Sequence, residues 1–409
     1  MKFVANSKEN ELTLPYIVKL ILLNMLHWVS FLSIRDKNIW VFGSWDGKSF
    51  LDNSKYLYLA SQKLSPNIKP VWISDNANIV KSLQARGYRA YGNRQIRTIL
   101  YGLRAKYYFI DHAPLYGGLF GPTNLWFSGG AKIIQLWHGL PLKRIDPTGL
   151  KKVNRSKTAE LLSGLSTLSL FNLYIYYYVV APSKLFGKLI AEAFQVPEKR
   201  ILYSAYPRNV FQNIPYAINF SLHKGINKQI KDLKNEGKKI IFYIPTFRDY
   251  GGNPIKDKAI NLGVLKEFTG DHQCAFVVKF HEADEFKLEA NAKNLIFLPS
   301  GYDLYETLDL CDVLITDYSS IFFDFLLYNK PLAFYPYDLA EYQKCARCFY
   351  FDYKQFVPGS IVYSFDELLK LLSKILATGI DDYQDKRERL RDSSFEYQRL
   401  MLRNILVDY

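Results

Sequence analysis

AKIIQLWHGLPLKRI, running from Ala131 to Ile145, decides the fold. A short apolar run (Ile133, Ile134, Leu136, Trp137) stops at His138-Gly139, and Pro141, Lys143 and Arg144 follow. The run predicts a buried parallel strand, and the break predicts its C-terminal loop. Ligands of open α/β sheets collect at such loops. A histidine placed there can move a proton near neutral pH. Gly139 lets the backbone turn or approach a substrate, and the cations beyond it can hold phosphate. Taken alone, WHG reads more readily as a satisfied structural histidine in a turn, so the rest of the chain has to carry the argument.

Working outward, the same alternation of apolar runs and helical patterns recurs on both sides. Strands are expected at Asn38–Phe42, Pro70–Ile73, Tyr107–Asp111 and Ile201–Ser204, with helices near Ser54, over Ala77–Arg86, Arg94–Leu103 and Ser183–Phe194. YPRN, Tyr206 to Asn209, reads as a turn at a domain boundary. A second series follows, with strands at Lys239–Ile244, Cys274–Phe280, Leu295–Leu298, Val313–Thr316 and Pro331–Tyr335, and helices at Tyr302–Leu310 and Ile321–Leu327. The pattern predicts an α/β protein of two doubly wound, Rossmann-like domains. The segments are 1–35 (N-terminal), 36–205 (first α/β domain), 206–380 (second α/β domain) and 381–409 (C-terminal helix).

The chain has 409 residues and a formal net charge of +14, which favours an anionic partner: nucleic acid, an anionic membrane or a phosphorylated substrate. Its 31 Tyr and 28 Phe lie largely in apolar or basic stretches, which suits a membrane surface at least as well as nucleic acid. Pro15–Ile34 is long enough to span a bilayer, yet Lys19, His27, Ser30 and Ser33 share one helical face with Asn24 beside it. An amphipathic helix in the membrane interface, or one packed on the first domain, is therefore expected. No small-residue cleavage site follows, which argues against a signal peptide. Cys274, Cys311, Cys345 and Cys348 lack the spacing of a zinc site and read as reduced thiols. After His138 the loop is basic: Lys143, Arg144, Lys151 and Lys152 make either a solvated face or an acceptor-side funnel for phosphate or membrane.

Polar residues suited to a diphosphate close three strands of the second series. They are Thr246 and Arg248 after FYIP, His281 after VVKF, and Asp317, Ser319 and Ser320 after LIT. Hydroxyls and exposed N–H groups at a helix start bind phosphate, arginine bridges phosphate oxygens with two donors, and a protonated His281 would offset charge on a leaving phosphate. Ser319 and Ser320 taken singly read as helix caps, and Asp317 reads equally as a buried structural aspartate. Their joint position at successive strand ends points to a nucleotide-diphosphate site opposite a base histidine, as in group transferases with two domains facing a cleft. Walker, dinucleotide-binding GxGxxG, HExxH and DxD metal motifs are absent from the sequence.

Seven segments together are specific: LDNSKYLYL (Leu51–Leu59), QLWHGLPLKRI, YPRN, YIPTFRD (Tyr243–Asp249), KFHE (Lys279–Glu282), ITDYSSIFFDF (Ile315–Phe325) and PLAFYPYDLAEY (Pro331–Tyr342). In these the chain resembles the CDP-glycerol glycerophosphotransferase family of teichoic acid primases and polymerases. Two positions depart from that family: Glu282 follows the histidine where proline is usual, and Val210 follows YPRN where aspartate is usual. The resemblance implies a GT-B-like fold and a peripheral or monotopic enzyme on the cytoplasmic face of the cell membrane, with its donor domain C-terminal and its last helix crossing back to the first domain.

It further implies His138 and His281 as the catalytic pair, and Thr246, Arg248, Ser319 and Ser320 on the donor. Its substrates would be CDP-glycerol or CDP-ribitol and a lipid-linked acceptor at an anionic membrane surface, with no nucleic acid, no resident metal and no tightly bound cofactor, although a loosely associated Mg is compatible. The expected reaction moves an alditol phosphate to an acceptor hydroxyl and releases CMP. Two competing readings are a GT-B glycosyltransferase, which would release a nucleoside diphosphate, and a non-catalytic membrane-surface protein, which would tolerate loss of both histidines.

Overall fold

The computed structural model describes residues 22, 25–64, 66–111, 125–145, 176–211, 220–246, 248, 253–279, 293–299, 301–346, 348–379 and 381–398. The chain forms two compact units. The N-terminal unit takes most of the chain up to Leu222, and it also takes the residues from Phe395 onward. Its strands are β1 (Asp36–Phe42), β2 (Lys69–Ser74), β3 (Ala90–Gly92), β4 (Ala105–Ile110), β5 (Lys132–Gln135), β6 (Tyr178–Ala181) and β7 (Ile201–Tyr203). They form one sheet in the order 3-2-1-4-5-6-7, every pair parallel. Its helices are α1 (Asp52–Leu64), α2 (Ala77–Gln84), α3 (Ile96–Arg104), α4 (Lys184–Phe194) and α5 (Pro207–Phe211).

The strands read as continuous apolar runs because helices cover both faces of a parallel sheet. Trp40, Val41 and Phe42 of β1 and Tyr108 and Phe109 of β4 are fully buried. Order reverses between β1 and β4, so the loops after those strands diverge and leave a crevice for ligands.

The second unit contains His223–Ser394 together with the described residues of 139–151. Its strands are β8 (Lys239–Ile244), β9 (Cys274–Val278), β10 (Leu295–Phe297), β11 (Val313–Thr316), β12 (Leu332–Phe334) and β13 (Ser360–Ile361), all parallel in the order 10-9-8-11-12-13. Its helices are α6 (Lys224–Asn235), α7 (Leu262–Asp271), α8 (Ile321–Phe325), α9 (Leu339–Cys345), α10 (Tyr353–Phe356), α11 (Phe365–Thr378) and α12 (Gln384–Ser394). Here the switch point lies between β8 and β11, which are the strands carrying Thr246 and Asp317. Ser364 and Glu367 close α11 at its start with a reciprocal cap, and Gly379, at φ 70°, ends it in the left-handed region.

Three expectations need correction. YPRN is not a turn but the short helix α5, which packs on α1 and keeps the chain in the N-terminal unit until Leu222, beyond the expected boundary at Tyr206. Tyr302–Leu310 is not a helix but two 3-10 turns, Leu304–Glu306 and Leu308–Leu310, the first capped by the Asp303 carboxylate on Tyr305 N. The described part of the basic loop after His138, with Lys143 and Arg144, is not part of the N-terminal unit. Lys143 pairs with Phe349, Arg144 N donates to Cys348 O at 2.8 Å, and Tyr350 N donates to Leu142 O at 3.0 Å, so this backbone is stitched into the second unit.

The last helix among the described residues, α12, belongs to the second unit, where Arg387 pairs with Asp381 and Asn329 Nδ2 donates to Glu388 at 2.7 Å, and the rest of the expected C-terminal helix, from residue 399, lies outside the described residues. The return to the N-terminal unit is made by the residues after α12. Tyr397 N donates to Pro182 O at 2.9 Å, and its ring stacks on Tyr203.

Candidate active site

His138 follows β5 in the N-terminal unit. The sequence ends the strand early because the chain must leave the sheet: Trp137 N turns back to Gln135 Oε1 at 2.9 Å, and Trp137 itself takes a left-handed φ of 55°. Its half-buried imidazole lies against two indoles, with ring centroids 4.0 Å from Trp137 and 5.5 Å from Trp45. Nδ1 is 2.8 Å from the carbonyl of Asp111, at the end of β4. A carbonyl only accepts, so Nδ1 carries a proton, and whenever the ring is neutral its lone pair is on Nε2. That tautomer suits a general base. Trp45 comes from the β1 loop and Asp111 from the β4 loop, so the imidazole lies at the switch point of this sheet.

The second unit holds the other expected residues at its own switch point. Thr246 follows β8, and its Oγ1 has no protein partner among the described residues. Ser320 makes no capping bond at the start of α8, and Ser319 Oγ only accepts a long 3.5 Å bond from Ile321 N. Ser319 and Ser320 are partly exposed and offer hydroxyls, whereas the Thr246 hydroxyl is itself buried although the residue is partly exposed.

Arg248 and Asp317 have a different place from the one expected of donor ligands. Arg248 is 1% exposed. Its Nε and Nη2 donate to the two oxygens of Asp338 at 2.8 Å each, and Nη1 donates to Asp317 and to the carbonyl of Thr246. The rings of Tyr318, Tyr337 and Tyr342 lie 5.0–5.8 Å from the guanidinium. Burial opposes its charge, but the two carboxylates outweigh burial and raise its pKa above the ordinary arginine value.

Asp317 is equally buried. One oxygen accepts from Thr246 N at 2.8 Å and from Tyr318 N, and the other accepts from Arg248. These two residues lock the β8 and β11 loops to each other. Asp338, from the loop after β12, completes the lock and was missed by sequence reasoning. A carboxylate embedded in FYPYDLAEY carries no local signal of an arginine 90 residues away.

Lys143 and Arg144 sit in the ladder with Cys348–Tyr350, and the Arg144 guanidinium lies 5.5 Å from the Tyr350 ring. His281, Lys151 and Lys152 lie outside the described residues. Among the described residues no group of three or more His, Cys, Asp or Glu is placed to hold a metal ion.

Two parallel α/β units, each with polar side chains at its switch point, define a GT-B-like α/β architecture of the kind used for group transfer. Residues 22–404 match the family described as CDP-glycerol:poly(glycerophosphate) glycerophosphotransferase. The chain belongs to that family.

It is 29% identical over 385 residues to a teichoic acid poly(glycerol phosphate) polymerase of Staphylococcus epidermidis, covering 88% of this chain and 48% of that protein. It is 27% identical over 366 residues to a teichoic acid glycerol-phosphate transferase of Staphylococcus aureus, covering 87% of this chain and 88% of that one. Among solved structures, the wall teichoic acid polymerase TagF matches with a TM-score of 0.68 and 23% identity, over 94% of this chain and 92% of that one, a likeness of fold. The chain spans about half the length of the S. epidermidis polymerase.

Proposed function

We propose that the chain transfers an alditol phosphate, glycerol phosphate in the first instance, from a CDP-alditol to a hydroxyl of a lipid-linked saccharide or polyol-phosphate chain. The observation that carries this reading is the Nδ1 bond of His138 to Asp111 O, which leaves Nε2 as the basic nitrogen in a chain of this family. In the proposed step Nε2 takes the proton of the acceptor hydroxyl and the oxygen attacks the β-phosphorus. One P–O bond forms, and the bond to the α-phosphate oxygen breaks to release CMP. The hydroxyls of Thr246, Ser319 and Ser320, with His281, bind the diphosphate and stabilise charge as it moves to the leaving phosphate. Arg248 and Asp317 act behind them by fixing the loops that carry those hydroxyls. Such a site works by positioning and electrostatics, with no covalent intermediate.

Attachment to an anionic membrane surface belongs to the same proposal. In the helical turn at residues 25–30 and the residues after it, the polar side chains face the protein. His27 and Ser30 are buried, while Val29, Leu32 and Ile34 are 60%, 85% and 90% exposed, with Trp28 and Phe31 exposed beside them. A contiguous apolar run turned outward suits the headgroup boundary of a bilayer. No helix among the described residues is long and apolar enough to cross a membrane.

The test is to incubate the purified protein with CDP-glycerol, CDP-ribitol or a panel of UDP-sugars, each with a lipid-linked acceptor, and to identify the nucleotide released. CMP from a CDP-alditol is expected, abolished in His138→Ala while donor binding persists. UDP from a sugar donor without CMP would overturn the reading, and loss of donor binding in His138→Ala would remove the base assignment.

A further inference from the structure

LDN (Leu51–Asn53) and YPRN (Tyr206–Asn209) mark the family resemblance, yet nothing above gives their side chains a task. In the structure both segments arrive at the backbone of His138. Arg208, fully buried, donates from Nη1 to His138 O at 2.8 Å and to the Asp52 carboxylate. Asn53, also fully buried, donates from Nδ2 to Trp137 O at 2.7 Å and accepts at Oδ1 from Arg208 N at 3.2 Å. The second oxygen of Asp52 accepts from Trp45 Nε1 at 3.0 Å, and Trp45 is one of the two indoles against the imidazole. Two successive carbonyls of the histidine loop are thus held by two side chains, Asn53 also accepting from the backbone N–H of Arg208, and the Asp52 carboxylate that pairs with Arg208 orients an aromatic wall of the ring.

We propose that Arg208, with Asp52 and Asn53, is the positioning assembly of His138, setting where its imidazole sits and which ring nitrogen carries the proton. The proposal rests on the reading of His138 as the general base. Three features favour it over an ion pair that merely cements α1 to α5.

First, such cement would not need a donor on the carbonyl of His138 itself. The two N–H groups of Nη1 serve that carbonyl and a carboxylate at once from a rigid planar guanidinium, which the rotating ammonium of lysine, on a different stem, does less well. Second, backbone strain gathers around the ring. Trp45, Asp52 and Trp137 have φ of 45°, 59° and 55°, and all three touch the imidazole or hold its neighbours. Left-handed residues other than glycine persist only where their surroundings over-determine them, and they cluster at functional sites. Third, the assembly fixes the ring through its own backbone, while the Asp111 carbonyl fixes the tautomer. A shift of the backbone would therefore break the Nδ1 bond as well.

The test uses the full chain with Arg208→Lys, which keeps the charge opposite Asp52 but not the fork, and reads two quantities. In kinetics, kcat is expected to fall on the order of 100-fold, the cost of a small misplacement of a reacting group, with KM for the CDP-alditol unchanged. In the nitrogen spectrum of histidine-labelled protein, the His138 signals, assigned by their loss in His138→Asn, are expected to move from the Nδ1-protonated pattern toward a mixture of tautomers. Trp45→Phe removes the indole N–H that Asp52 accepts, together with the fused ring that carries it, and is expected to move both readouts the same way by less, which covers the case in which Arg208→Lys does not fold.

A folded Arg208→Lys protein with unchanged kcat overturns the proposal, and so does one whose activity falls while the His138 signals stay put. The spectrum needs no turnover. If the unmodified chain releases no CMP from any donor, the reading of the reaction falls, while the His138 signals still decide the positioning.

Discussion

Two arginines, Arg208 and Arg248, are fully buried, one beside the candidate site residues of each unit, and they are buried differently. Arg248 faces two carboxylates, Asp317 and Asp338, inside a cage of tyrosines. Arg208 faces one carboxylate among the described residues, Asp52, and also donates to the carbonyl of His138. Neither offers a free fork to a phosphate. At Arg248 the lock is tight and carries an excess of negative charge, as suits loops that must present hydroxyls in fixed places. At Arg208 the lock is lighter and acts on one backbone carbonyl, as suits a side chain that must hold one ring.

Replacing each arginine by methionine, which keeps the volume, tests that contrast. Arg248→Met leaves two buried carboxylates facing each other without a cation and is expected to cost about 3–5 kcal/mol of stability. Arg208→Met leaves a single carboxylate nearer the surface and is expected to cost about 2 kcal/mol. Urea unfolding followed by circular dichroism measures both, and equal losses would erase the distinction between the two locks. A smaller change refines it: Tyr318→Phe removes the hydroxyl that donates to Asp338 at 2.9 Å, and a loss of about 1 kcal/mol is expected.

His27 extends the comparison to a buried base with no carboxylate opposite it among the described residues. Burial lowers its pKa, with bonds to backbone carbonyls acting the other way. Its folded pKa lies below the unfolded one. Its contribution is therefore complete above about pH 6.5 and is lost as pH falls below that value. The protection factors of the amides over residues 25–35, which divide out the base-catalysed intrinsic rate, should fall at pH 5.5 relative to pH 7.5 in the unmodified protein, and that pH dependence should flatten in His27→Gln. Protection that does not depend on pH would break the rule that only a carboxylate keeps a buried base charged here.

The sheets were legible from sequence because parallel strands buried on both faces are continuous apolar runs, and both doubly wound units are present. β3 and β13 were not, since Ala90–Gly92 and Ser360–Ile361 are too short to show a pattern. Positions in the site were legible at strand ends, but roles were less so. An arginine after a strand looks the same in sequence whether its donors aim at a ligand or at carboxylates delivered by other loops, and Asp338 reaches Arg248 from 90 residues away. LDN and YPRN raised the same difficulty. Their partners lie on the backbone of Trp137 and His138, and carbonyl oxygens leave no mark in a sequence.

The outward-facing apolar turn at residues 25–30 is tied down at its far end by Arg35. Its guanidinium donates to the carbonyls of Gly102 at 2.7 Å, Phe127 at 2.8 Å and Ser30 at 3.0 Å, and to that of Gly129. The turn also passes so close to Gly129 that a methyl group there would sit 2.5 Å from Ser30 Oγ and 2.6 Å from His27 O. Anyone trimming this greasy segment to obtain a better-behaved preparation would therefore lose more than stickiness. A cut placed after Arg35 strips the donor from several carbonyls at once, whereas a cut just before it keeps the rivet and gives up the apolar surface together with the buried contacts of His27 and Ser30.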